Sequence, residues 1–123
     1  MKTKFNNFLN ENFGITKYQL SLITRLAKFL KIPGARKNNK IATLNFKGSP
    51  NSALSYFSKI LDAEIAEHDR EGCYYILSES IGCVLIILND GDRSYISVAH
   101  KEKLSDKQIS NIRKKLNFKK LKF

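Results

Sequence analysis

The run Val84-Leu85-Ile86-Ile87-Leu88 restricts the fold of this chain more than any other segment. Around it, apolar residues recur with a period of two, which is the spacing of side chains on one face of a β-strand. Because both faces of the central run are apolar, we expect it to form a central strand that is covered at least in part on both sides. The pattern predicts four consecutive strands, over residues 63–69, 73–79, 82–89 and 93–100.

Turn residues predict how these strands pair. Asp90-Gly91 suits a two-residue hairpin turn with positive φ at both central positions, which would set Leu88 opposite Arg93. A second turn near Ser80-Ile81 would set Cys83 opposite Ser78.

The second turn also bears on the two cysteines. Cys73 would then lie about five residues from Cys83 along the ladder, and at ~3.3 Å per residue this is too far for a disulfide. We therefore expect two free, buried thiols and a reducing compartment.

Three segments carry apolar residues at helical spacing directly after a good N-capping residue, and each is predicted to form a helix. The first follows Thr16, with Gln19 completing a capping box, and the third follows Ser105. The second opens at Ser49-Pro50. Its expected buried face consists of Ala53, Leu54, Phe57, Ile60 and Leu61.

A further short strand at residues 41–46 gives the order α-β-α-β-β-β-β-α. This order predicts an α+β fold in which three helices pack on an antiparallel, four- to five-stranded meander sheet. We expect residues 1–14 to be a polar N-terminal tail or leader, 15–118 a single domain, and 119–123 a basic C-terminal tail. The longest apolar run is too short for a membrane span, and residues 5–11 are too polar for a secretory signal. A cytoplasmic protein is therefore expected, with no membrane partner.

Charge is sorted by position along the chain. Residues 1–61 carry a net charge of +10, residues 62–92 carry −7, and residues 93–123 carry +8. Basic surface of this size attracts polyanions by steering and counterion release, which favours nucleic acid as the partner. The residues predicted to contact it are Lys17, Arg25, Lys28 and Lys31 on the first helix, Arg36, Lys37 and Lys40 in the next loop, and Arg113, Lys114, Lys115, Lys119, Lys120 and Lys122 near the C-terminus.

Other polar and aromatic groups favour structural interpretations. The segment Glu64–Asp69 could supply two carboxylates to a divalent ion, but we interpret it as an acidic edge strand that resists pairing with other chains. His100 is expected at the surface, at a strand end. Tyr74, Tyr75 and Tyr95 are expected to pack on the sheet rather than stack on bases. We assign no catalytic residue, no metal ligand and no cofactor.

The first eleven residues, Met1 to Glu11, resemble the leader of internal head proteins of T-even-type bacteriophages. Those leaders run Met-Lys-Thr, an aromatic, two polar residues, an aromatic and then Leu/Ile-x-Glu, after which the prohead protease cuts. Here Leu9-Asn10-Glu11 matches the cleavage triplet, whereas Lys4 is an extra residue and Asn12 replaces a small one. The resemblance implies a small basic protein that is packaged with phage DNA in the virion interior and acts on host defence after injection.

Three functions remain open on the sequence. The first is a non-enzymatic, phage- or mobile-element-encoded protein that binds DNA or RNA through its basic ends. The second is a protein-interaction module that inhibits a host defence enzyme in the host cytoplasm. The third is a small metal-dependent nuclease or toxin, which would require the Glu64–Asp69 carboxylates as a site.

Overall fold

The structure, a computed structural model, describes residues 16–100 and 103–121. This part of the chain contains three helices and one antiparallel sheet of seven strands in the order β1-β2-β6-β5-β4-β3-β7. The helices are α1 (Lys17–Leu30), α2 (Pro50–Phe57) and α3 (Asp106–Lys115). The strands are β1 (Arg36–Asn38), β2 (Thr43–Lys47), β3 (Glu64–Glu67), β4 (Tyr74–Ser78), β5 (Cys83–Asp90), β6 (Arg93–Val98) and β7 (Lys119–Lys120).

Helices cover both faces of the sheet, and the apolar strand β5 lies in the middle of it. Leu85 and Ile87 of β5 pack with α1 and α2 on one face, whereas Val84 and Ile86 pack with α3 on the other. The predicted α+β class and the central, doubly covered strand are thus confirmed. No helix within the described ranges is long and apolar enough to cross a membrane.

The predicted meander β3-β4-β5-β6 is present, but one of its registers is wrong by two residues. Asp90 pairs with Arg93, and Leu88 is opposite Tyr95. The turn is therefore centred on Gly91-Asp92, and of these only Gly91 has a positive φ, +70°. A positive φ at the first central residue alone is typical of a type II′ turn, whereas the predicted type I′ turn needs two.

The second hairpin has the predicted register, with Ser78 opposite Cys83. Cys73 and Cys83 are both free and buried, as expected. Burial raises the pKa of the Cys83 thiol to about 12, so this thiol stays protonated and unreactive at neutral pH.

Two short edge strands raise the number of strands above the predicted four to five. Residues 36–38, predicted as loop, pair with β2, and Lys119–Lys120 pair with β3. The acidic strand β3 is therefore not the free edge that the sequence indicated, since β7 covers Glu64 and Ile65 on its outer side.

The predicted capping box at Thr16 is formed, and Ser105 forms a second one with Gln108. The second helix ends at Phe57 and is therefore shorter than predicted; of the two expected buried residues beyond it, only Ile60 packs against the core. Leu61 is in consequence 97% exposed instead of buried.

The chain beyond β6 also differs from expectation. The backbone N–H of Ala99 donates to the carbonyl of Val84, 2.7 Å away, so the segment continues beside the start of β5. His100 is consequently buried, which corrects the prediction of a surface histidine.

Candidate nucleic-acid interface

The first helix and the first strand together form a basic surface. Thr24 on α1 faces β1, and its Oγ1 accepts a hydrogen bond of 3.3 Å from Nζ of Lys37. We call this surface, with the loop after β1, the α1–β1 surface. Its seven cations are all exposed, namely Lys17, Arg25, Lys28, Lys31, Arg36, Lys37 and Lys40.

The core holds α1 rigidly in place behind these cations. Leu22, Ile23, Leu26 and Leu30 are buried against the sheet. At the start of the helix, the hydroxyl of Tyr18 donates to the carbonyl of Ile81, 3.0 Å away in the turn between β4 and β5. Because apolar contacts fix one side of α1, helical spacing directs its cations to the opposite side.

The segment that carries the α1–β1 surface contains no carboxylate. Residues 16–61 contain nine Lys or Arg and no Asp or Glu. Over the ranges that the structure describes, none of the seven surface cations takes part in an ion pair. Their positive charges therefore add in one region, and a polyanion would meet a continuous attractive potential there.

Arg113, near the C-terminus, is in a different situation. Its guanidinium donates from Nε to Oε2 of Glu64 at 3.0 Å and from a terminal nitrogen to Oε1 of Glu79 at 2.9 Å. A second terminal nitrogen also donates to Glu64. Hydrogen bonds to Glu79 and Glu64 raise the pKa of Arg113 above its ordinary value. This predicted phosphate contact is thus already occupied by two carboxylates of the same chain.

Two of the remaining C-terminal cations lie on β7, which pairs with the acidic strand β3. Lys120 is opposite Glu64 in the pairing of β7 with β3, and Lys119 is opposite Ile65. Lys114 and Lys115 are exposed on α3. Lys122 lies outside the described residues.

The two groups of cations do not form one surface. Strands β1 and β7 lie at opposite edges of the sheet, and α1 and α3 lie on opposite faces. Six inter-strand spacings separate the edges, which is roughly 29 Å at ~4.8 Å per spacing. This exceeds the Debye length of ~8 Å at physiological salt, so the two groups act on a ligand independently.

The acidic segment 64–69 does not collect into a metal site. Glu64 binds Arg113, whereas Glu67 and Asp69 are exposed at its far end. Within residues 16–100 and 103–121, no three His, Cys, Asp or Glu side chains are grouped closely enough to hold a metal ion. The arrangement adds no observation in favour of a nuclease.

The two histidines are both at least partly buried. Nδ1 of His68 accepts from the backbone N–H of Arg70 at 2.9 Å, and its ring lies 4.9 Å from the ring of Tyr75. His100 is only 8% exposed. Both histidines thus have structural surroundings that the sequence did not indicate.

One exposed aromatic was missed by the sequence analysis. Tyr75 is fully buried and cannot stack on a base, and Tyr74 and Tyr95 are half-buried. Phe29 of α1, by contrast, is 50% exposed beside Arg25 and Lys28. Its position at the border of the apolar face of α1 is the signal that could have revealed it.

Comparison with protein-family models, curated proteins and solved structures found no match for this chain.

Proposed function

We propose that this protein binds nucleic acid through the α1–β1 surface and has no catalytic activity of its own. The observation that supports this best is the contrast between the two ends of the chain. Among the described residues, the seven cations of the α1–β1 surface are exposed and carry no ion pairs, whereas Arg113 is held by two carboxylates and Lys119 and Lys120 pair with the acidic strand β3. Phosphates would therefore gain more from α1 and β1 than from α3 and β7.

The test compares two variants that lose the same charge. One replaces Lys17, Lys28 and Lys37 with Gln, and the other replaces Lys114, Lys119 and Lys120 with Gln. Affinity for fluorescently labelled DNA is measured by anisotropy over a range of salt concentrations. Each lost phosphate contact reduces the slope of log affinity against log salt by ~0.9 on a duplex, or ~0.7 on a single strand.

We expect the slope of the N-terminal variant to fall by the equivalent of two to three phosphate contacts. The slope of the C-terminal variant should stay close to that of the wild type. A larger effect of the C-terminal variant would assign the interface to α3 and β7. Equal, small losses in both would show that the charge serves only solubility, and the absence of DNA and RNA binding in the wild type would refute the function.

A second candidate is the protein-interaction module, here an inhibitor of a host enzyme. It is supported by the outer edge of β3, where β7 pairs with Glu64 and Ile65 only. Ala66 and Glu67 beyond it border a cleft of about 830 Å³, and an extended peptide could add there as a strand. Recovery of a stoichiometric protein partner from a nuclease-treated bacterial lysate would favour this candidate.

The resemblance of Met1 to Glu11 to phage leaders concerns residues outside the described ranges. We propose that the chain is cut after Glu11 during head assembly and is carried in the virion. Mass spectrometry of the protein after co-expression with a prohead protease would test this, because a product that begins at Asn12 is expected and an intact chain would refute it.

A further inference from the structure

An apolar groove runs along one flank of α1. It lies between this helix, the segment after α2 and the turn between β4 and β5, and has a volume of about 580 Å³. This volume falls within the 300–1,000 Å³ that is typical of small-molecule sites. Phe29 is half-exposed in the groove, and Leu61 is almost fully exposed beside it. The apolar lining consists of Leu22, Leu26, Phe29, Ile60, Leu61 and Ile81.

The groove borders the α1–β1 surface. Arg25, a member of that surface, also lines the groove, and at ~100° per residue it points only about 40° away from Phe29 around the helix. Thr24, which contacts β1, points about 140° away from Phe29. Lys17 and Lys28 project between the directions of Arg25 and Thr24. The cations therefore separate the groove from β1, and a chain of phosphates along them would pass next to Phe29.

One carboxylate, Asp62, also lines the groove. Its Oδ1 accepts from the hydroxyls of Ser78 and Ser80 at 2.6 and 3.0 Å, and its Oδ2 accepts from the backbone N–H of Ser80 at 2.9 Å. These hydrogen bonds tie the carboxylate to the turn between β4 and β5. The groove thus combines an apolar wall with a cation at its mouth, and the carboxylate of Asp62 is already bound within the fold.

We propose that this groove takes an unpaired nucleobase, so that the protein prefers single-stranded DNA or RNA to a duplex. The inference rests on the proposed function and specifies its ligand. A nucleobase in a single strand has a free face that stacks on aromatic side chains, while a positively charged surface follows the phosphate backbone. Phe29, with Arg25 one turn away on the same flank, offers both. In a duplex, the bases are stacked on one another and cannot enter.

The test uses the full-length chain and two labelled oligomers with the same number of phosphates. One is oligo-dT of about 15 nucleotides, and the other is an abasic strand of equal length. Because stacking contributes ~1–3 kcal/mol per base, the wild type should bind oligo-dT roughly 5-fold to 150-fold more tightly. Phe29→Ala should remove most of this preference and leave the affinity for the abasic strand unchanged. Ile41→Ala is the matched control, since Ile41 is exposed to a similar extent but does not line the groove.

Different outcomes separate this inference from the function on which it rests. Equal, salt-dependent binding of both oligomers would keep the proposed function and refute the groove as a base site. Failure to bind either oligomer would refute the groove as a base site, and failure to bind duplex DNA and RNA as well would refute the function itself. A concentration-dependent dimer that Phe29→Ala dissociates would assign the groove to a second copy of the chain. A preference for bases that emerges only after removal of residues 1–15 would assign it to that segment.

Discussion

Replacement of Arg113 by Met should destabilise the fold without weakening nucleic-acid binding. Arg113 connects α3 to Glu64 of β3 and to Glu79 after β4. The side chain of Glu64 is only 12% exposed, so the carboxylate depends on the guanidinium for compensation of its charge. Met keeps most of the volume and the apolar stem of Arg113 and removes only the charge and its donors.

The magnitude follows from the exposure of the two partners. A hydrogen bond to a charged group contributes ~1.5–3 kcal/mol, and we count the two donors to Glu64 once because they share one oxygen. The pair with Glu79, whose side chain is 57% exposed, adds the ~0.2–1 kcal/mol of a surface ion pair. We therefore expect the free energy of unfolding to fall by about 2–4 kcal/mol.

Urea denaturation followed by circular dichroism measures this loss. The matched control is Lys114→Met, which removes the neighbouring, exposed cation and should change stability by less than ~0.5 kcal/mol. Combining Arg113→Met with Glu64→Gln should cost less than the sum of the two single changes, because both remove the same interaction. Equal effects of Arg113→Met and Lys114→Met on stability would show that the ion pairs are not structural, and a selective loss of DNA affinity in Arg113→Met would return this residue to the interface.

Two further predictions concern the core and the acid stability. Leu85→Ala should lower the free energy of unfolding by ~2–5 kcal/mol because the side chain is fully buried, whereas Leu61→Ala should lower it by less than ~0.5 kcal/mol. Equal melting temperatures of these two variants would contradict the central position of β5. Burial alone would raise the pKa of Asp62, but hydrogen bonds from Ser78 and Ser80 lower it below its ordinary value of 3.8. Ionised Asp62 therefore stabilises the fold above that pH, and this contribution is lost as the pH falls through the lower, folded-state pKa. In Asp62→Asn, the free energy of unfolding should consequently fall less steeply as the pH is lowered below 3.8.

The alternation of apolar residues predicts those strands of the sheet in which one face must be buried. The register error at Gly91 was two residues, and because the period of a strand is also two, every apolar residue of β5 and β6 still falls on the expected face. The edge strands lay beyond this signal. Arg36–Asn38 and Lys119–Lys120 carry no apolar alternation, and only backbone pairing defines them, with the next strand β2 in the first case and with the distant strand β3 in the second.

The candidate interface could be predicted only in part, for a related reason. Helical spacing placed the cations of α1 together because it depends on local geometry alone. The engagement of Arg113 depends on residues 49 and 34 positions away along the chain, which no local pattern relates to α3. The exposure of Leu61 likewise depends on where α2 ends, at Phe57, rather than on the apolar character of the segment.

The sorted charge of the chain has a structural consequence that net charge alone hides. The acidic middle block carries −7 and the C-terminal block +8, and the fold brings them into contact where Glu64 meets Arg113 and β7. These two blocks largely cancel, whereas residues 16–61 keep nine positive charges with no acid among them. The electrostatic field that a distant polyanion meets therefore comes mainly from α1 and β1. Because the charge that is not cancelled steers association, lowering the salt concentration should raise the association rate at that surface more than elsewhere.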